Sequence, residues 1–124
     1  MWVDKVFVYG TLRRGGRNHQ LLAAARFLGT CRTEQRFTLI DFGPYPGVVA
    51  RGGTSVAGEV YAVDRATIKL LDELEAFPIE YDRRRLATLY GKAWIYVYRR
   101  RDCYRGIVVP GGDWFRRAVF RGGV

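Results

Sequence analysis

Histidine occurs once in this 124-residue chain, at His19, and cysteine only twice, at Cys31 and Cys103. Without a Cys/His cluster the residues offer no dedicated zinc site, and metal catalysis is not expected. The two cysteines share no CxxC spacing, and two reduced thiols are the expected state. No apolar run approaches the roughly 20 residues of a membrane span. Met1-Trp2-Val3-Asp4 has neither the charged nor the apolar region of a signal peptide, so a cytoplasmic location and no membrane partner are expected. Lysine is also scarce: it stands only at Lys5, Lys69 and Lys92, so the formal net charge of +9 is almost entirely arginine.

What is present is a globular composition, 48% hydrophobic and 15% aromatic, in a length that fits one domain over residues 1–124. Guanidinium is the better phosphate fork, which raises the question of nucleic acid. The triplets Arg14-Gly15-Gly16, Arg51-Gly52-Gly53 and Arg121-Gly122-Gly123 sharpen it. RNA-binding RGG segments cluster in low-complexity tracts, whereas these are isolated between structured-looking segments. They read as turns, and the sequence argues against nucleic acid as the main partner.

Val6, Phe7 and Val8 open a strand over residues 5–10, and Arg17 to Ala25 suits a short helix. Further strands are expected over Phe27–Arg32, Arg36–Phe42, Val48–Ala50 and Gly58–Val63, with a turn at Gly43–Gly47. Asp64 is a natural N-cap for a helix over Arg65 to about Ala76. Two strands follow, Tyr81–Tyr90 and Lys92–Arg100. In the second, Trp94, Tyr96 and Tyr98 alternate with Ala93, Ile95 and Val97. Many short strands with two helices predict an α+β domain whose sheet curls into a small mixed β-barrel flanked by short helices.

The helix DRATIKLLDELEAF carries one misplaced charge. With Ile68 at zero and about 100° per residue, Leu71 falls near 300°, Leu74 near 240° and Leu70 near 200°. Asp72, Lys69 and Glu73 fall at about 40°, 100° and 140°, as a solvated face. Glu75 falls near 340°, on the apolar stripe. An ionised carboxylate there is costly unless paired, hydrogen-bonded or neutralised. Fraying outward, or pairing with Arg83, Arg84 or Arg85, would satisfy it; a place in a cavity would poise it for proton transfer. Periodicity leaves both open. Tyr81 follows Pro78 in PIEYDRR, as a core residue or as a hydroxyl facing that carboxylate.

VFVYGTLRRGGRNH and LDELEAFPIEYDRR, with GPYPGVV and GEVYAVD between them in order, together resemble the γ-glutamylcyclotransferase superfamily. The similarity covers about residues 5–100 and is nearest to the γ-glutamylamine cyclotransferase and AIG2-like proteins. The resemblance implies a mixed barrel in which the YGTL loop and a helix-borne glutamate face one cavity. It implies an enzyme that closes a γ-glutamyl group on itself to release 5-oxoproline and a free amine, with no cofactor. Glu75 matches the catalytic glutamate. Tyr9, Gly10, Thr11 and Leu12 match the γ-glutamyl binding loop, and Tyr81 a cavity tyrosine. Arg13 and Arg14 read as a solvated loop. The partner so implied is a small γ-glutamyl compound; a non-catalytic small-ligand binder of the same fold and arginine-mediated nucleic-acid binding stand as the alternatives.

Overall fold

The computed structural model describes residues 1–99 and 105–118. Among the described residues, eight strands form a five-stranded and a three-stranded sheet, with one α-helix beside them: β1 (Asp4–Val8), β2 (Arg26–Arg32), β3 (Phe37–Asp41), β4 (Pro46–Thr54), β5 (Ala57–Val63), α1 (Arg65–Leu74), β6 (Tyr81–Thr88), β7 (Gly91–Tyr98) and β8 (Ile107–Val108). The larger sheet runs β2-β5-β1-β7-β6 and the smaller β4-β3-β8. This is the expected α+β class, but no closed hydrogen-bonded ring forms among the described residues: the curl is two sheets facing each other. The expected Lys92–Arg100 strand stops at Tyr98; Arg100, Cys103 and Arg121-Gly122-Gly123 lie outside the described residues.

β1 is the middle strand of its sheet, antiparallel to β5 and parallel to β7, which is why its apolar run is continuous. Its side chains alternate between two cores. Phe7 and Tyr9 join Leu39, Val48, Ile95 and Val97 between the sheets. Val6 and Val8 join Leu71, Tyr81 and Tyr96 beneath α1. β7 divides as its alternation predicts, with Ile95 and Val97 on one side and Tyr96 on the other.

Two expectations are corrected here. The Arg17–Ala25 helix shrinks to a 3₁₀ turn, His19–Leu22. The Asn18 side chain, its natural cap, instead donates to Thr11 Oγ1 at 2.9 Å, and β2 begins at Arg26, leaving no length for a further turn. The Arg51-Gly52-Gly53 triplet is not a turn between elements but a bulge inside β4: Thr54 pairs with Phe37, Val49 with Thr38, and the residues between loop out. Gly52 has φ +115, and a Cβ there would lie 2.2 Å from Thr38 Oγ1.

The face of α1 turned inward is rotated from the leucine stripe. Leu71 is fully buried, while Leu70 and Leu74 are 45% and 40% exposed. Asp72, expected on the solvated face, is half-buried and takes the Tyr96 hydroxyl at 2.7 Å and the Arg83 guanidinium at 3.2 Å. That network turns the helix so that Leu71 and Glu75 point in together.

The helix starts as predicted, with the Asp64 carboxylate accepting from Thr67 N–H at 2.8 Å. It ends in a paired hydrogen-bond closure, Phe77 N–H to Asp72 O at 2.9 Å and Ala76 N–H to Glu73 O at 3.2 Å. That closure needs a left-handed residue, and the residue is Ala76, φ 49, directly after Glu75. A left-handed alanine costs about 1 kcal/mol that glycine does not. Ala76→Gly is therefore expected to stabilise the fold by about 1 kcal/mol, read as a raised urea midpoint at unchanged m-value; an unchanged or lowered midpoint would contradict the strain argument.

Candidate active site

A cavity of about 160 Å³ opens where the end of β1, the end of α1 and the start of β6 converge. Tyr9 to Leu12 form one wall, Glu75 and Leu74 a second, and Glu80 and Tyr81 a third, with Pro46 and Tyr96 between. All six residues singled out from the sequence, Tyr9, Gly10, Thr11, Leu12, Glu75 and Tyr81, thus line one space.

The loop is built to expose its amides. It turns at once after β1: Arg13 N–H closes on Gly10 O at 3.0 Å and Asn18 N–H on Thr11 O at 2.9 Å. Among the described residues nothing accepts from the N–H groups of Gly10, Thr11 or Leu12. Gly10 is required by space, since a Cβ would lie 2.5 Å from Pro46 Cγ. Thr11 Oγ1 accepts from Asn18, which leaves its hydroxyl hydrogen free to donate.

Glu75 sits at the C-cap of α1, and its N–H returns to Leu71 O at 2.9 Å. Its carboxyl has neither a hydrogen bond nor an ion pair among the described residues. Of the three arginines that might have neutralised it, Arg83 is committed to Asp72 and Arg85 to Asp4 at 2.9 Å, and Arg84 is exposed, alternating with them along β6. Burial, reinforced by the nearby Glu80 charge, pushes the Glu75 carboxyl up to about 7. This is a carboxylate that can hold or release a proton near neutrality.

The two tyrosines singled out from the sequence have no free hydroxyl hydrogen. Tyr81 donates to Pro46 O at 2.8 Å, not to Glu75. Tyr9 donates to Tyr96 O at 2.7 Å and accepts from Val48 N–H at 3.1 Å. Burial first, then neighbouring negative charge, raises both phenols far above the ordinary range, so they shape the wall and take no part in proton transfer near neutral pH.

Arg14 is exposed, as the solvated-loop reading expects, but Arg13 is drawn inward. Arg13 reaches Asp113 Oδ1 at 2.8 Å and Glu59 at 3.5 Å, and stacks 4.2 Å from the Phe115 ring. Arg14 N–H donates to Glu59 Oε1 at 2.9 Å while its guanidinium covers Phe27. Sequence reading missed Arg17, Asn18, Pro46, Glu80, Tyr96 and the anchoring Glu59. The alternation of GEVYAV puts Glu59 opposite Val8 on an inner strand, which was the available signal for a buried carboxylate. Among the described residues no group of three or more His, Cys, Asp or Glu is placed to hold a metal ion, and no helix is long and apolar enough to cross a membrane.

Known proteins similar to this chain identify its family. A family model described as "Gamma-glutamyl cyclotransferase, AIG2-like" matches residues 6–116. The gamma-glutamylcyclotransferase family protein YtfP of Escherichia coli is 40% identical over 114 residues, covering 91% of this chain and 97% of the relative. The crystal structure of an uncharacterized protein from Pyrococcus horikoshii superposes with a TM-score of 0.77 at 32% identity, covering 90% of each chain. That of an AIG2-like protein from Mus musculus superposes at 0.74 and 26% identity, covering 87% of this chain and 86% of the other. With the matched segment spanning the cavity loop, the helix-borne carboxylate and the tail that braces them, the chain belongs to the γ-glutamylcyclotransferase family of AIG2-like proteins.

Proposed function

We propose that this protein converts a γ-glutamyl amine or peptide into 5-oxoproline and the free amine, with Glu75 as general acid and base. The observation that carries this reading is the pairing of an unpartnered carboxyl, raised to about 7, with unoccupied backbone N–H donors across one cavity.

The substrate's α-amino group starts as an ammonium and is no nucleophile. Glu75, where ionised, takes one of its protons. The nitrogen then attacks the γ-carbonyl carbon, a C–N bond closes the five-membered ring, and the carbonyl oxygen becomes an oxyanion. Donors from Gly10 to Leu12 stabilise that charge in a space partly withdrawn from water. The oxyanion collapses, the bond to the leaving nitrogen breaks, and Glu75 returns its proton to that nitrogen. The second ammonium proton leaves the ring nitrogen for solvent, where the product amine takes up a proton. Water is not consumed. Because nucleophile and electrophile belong to one molecule, holding the chain folded supplies much of the acceleration. The small cavity does this by leaving no room for the extended form.

Glu75→Gln keeps the shape and loses the base. We expect 5-oxoproline release from γ-glutamyl substrates to fall about 10²- to 10⁴-fold with the circular dichroism spectrum unchanged; release equal to wild type removes Glu75 from the mechanism. The pH profile gives a second check. The ionised form is the base in free enzyme, so kcat/KM should climb through an acid limb centred at about 7. A limb centred near 4.5, the ordinary carboxyl value, would show that Glu75 is not the titrating group.

The same shift has a consequence for stability. The folded protein holds the Glu75 proton more tightly than the unfolded chain, so stability falls as pH rises from 4.5 to about 7. Glu75→Gln lacks this loss. It should exceed wild type by about 1–2 kcal/mol at pH 8, discounted because the carboxyl opens to solvent at the cavity mouth, and match it at pH 4. Parallel denaturant curves for the two proteins at those pH values measure the difference.

A further inference from the structure

The catalytic cavity, at about 160 Å³, is smaller than the roughly 300 Å³ at which pockets begin to hold whole ligands. It accommodates the γ-glutamyl group, and the leaving amine must lie outside it. A second cavity of about 470 Å³ adjoins it through two shared residues, Thr11 and Arg17. Its floor is the flat backbone of Gly15, Gly16, Gly43 and Pro44, and its far wall is Trp114, Phe115 and Arg117 from the C-terminal part of the chain.

Charge and apolarity in this second space point one way. Among the described residues no carboxylate lines it. Two carboxylates bonded to its wall are spent: Asp41 receives Arg117 Nε at 3.0 Å and Trp114 Nε1 at 3.1 Å, and Asp113 receives Arg13 Nη1 at 2.8 Å. Arg117 is thereby neutralised and laid 4.1 Å from the Trp114 ring centre. Arg17 has no such partner among the described residues, so the cavity holds one uncompensated cation, at the junction with the catalytic space. Phe115, 40% exposed, supplies an apolar surface that water covers poorly.

We infer that this second cavity is the leaving-amine site, and that it selects an amine bearing both an anionic group, met by Arg17, and an aromatic side chain, met by Phe115. The inference rests on the cyclotransferase reading above. A polyamine or aminoglycoside leaving group would bring its cations against Arg17 with no carboxylate to receive them. A carboxylate beside the leaving nitrogen lies at the junction where Arg17 stands, and its side chain extends over the glycine floor toward Phe115.

The test compares γ-glutamylphenylalanine, γ-glutamylphenethylamine, γ-glutamylalanine and γ-glutamylputrescine, following 5-oxoproline release by wild type, Arg17→Glu and Phe115→Ala. γ-Glutamylphenethylamine differs from the first only in lacking the carboxylate, and γ-glutamylalanine only in lacking the ring. In wild type we expect kcat/KM for γ-glutamylphenylalanine about fivefold above each, from one exposed charge contact and one aromatic contact. γ-Glutamylputrescine should be the poorest. Arg17→Glu should abolish or reverse the preference over γ-glutamylphenethylamine and improve γ-glutamylputrescine, chiefly through KM. Phe115→Ala should erase the preference over γ-glutamylalanine while keeping the response to the carboxylate. Turnover of all four compounds with equal kcat/KM, or preferences that Arg17→Glu leaves unmoved, overturns the assignment of this cavity and leaves the cyclotransferase reading standing. No 5-oxoproline from any of the four overturns the cyclotransferase reading itself.

Discussion

A single buried carboxylate, Glu59, holds the site together from behind. It stands on β5, only 5% exposed, and receives the Arg14 N–H, the Tyr61 hydroxyl at 2.8 Å and the Arg13 guanidinium. Buried ions are poor sources of net stability, because desolvation cancels most of the attraction, yet removing one partner is costly. What Glu59 supplies is position. With residues 13 and 14 drawn down onto β5, the chain from Gly10 to Leu12 must arch over the end of β1, and an arch has its N–H groups pointing outward with no neighbour to accept them. Arg13 extends the same constraint to Asp113, so the C-terminal segment is locked to the loop it walls.

The arginine surplus looks different once its contacts are known. Arg13, Arg83, Arg85 and Arg117 each meet a carboxylate and also lie over an aromatic ring. A planar guanidinium can do both at once, where an ammonium cannot. Part of a composition that suggests an outside polyanion is therefore used to fasten strands, helix and tail to one another.

How much of this is legible beforehand depends on the range of the forces involved. The paired faces of β7, the Asp64 cap and the central place of β1 follow from local alternation and apolarity, and the sequence carries them openly. The oddity of Glu75 is legible too, as a charge on the wrong side of a wheel; that it has no partner is not, since this depends on Arg83 and Arg85 turning to Asp72 and Asp4. The rotation of α1 away from its leucines is hidden for the same reason. It is set by Tyr96, 24 positions downstream of Asp72, and no window of helical length contains both. The Gly52 bulge and the shortened turn at His19–Leu22 are likewise decided by contacts with other strands.

Tyr9 joins the two sheets as a crossbar. Its ring is packed between them, and its hydroxyl bridges a carbonyl of β7 to an amide of β4. Its backbone is also the first residue of the cavity wall. The width of the catalytic space is in this way tied to the spacing of the sheets. Opening the floor of the cavity would require parting the two sheets, so the floor shares the stability of the core. A change in the packing between the sheets would therefore be felt at once as a change in the shape of the cavity.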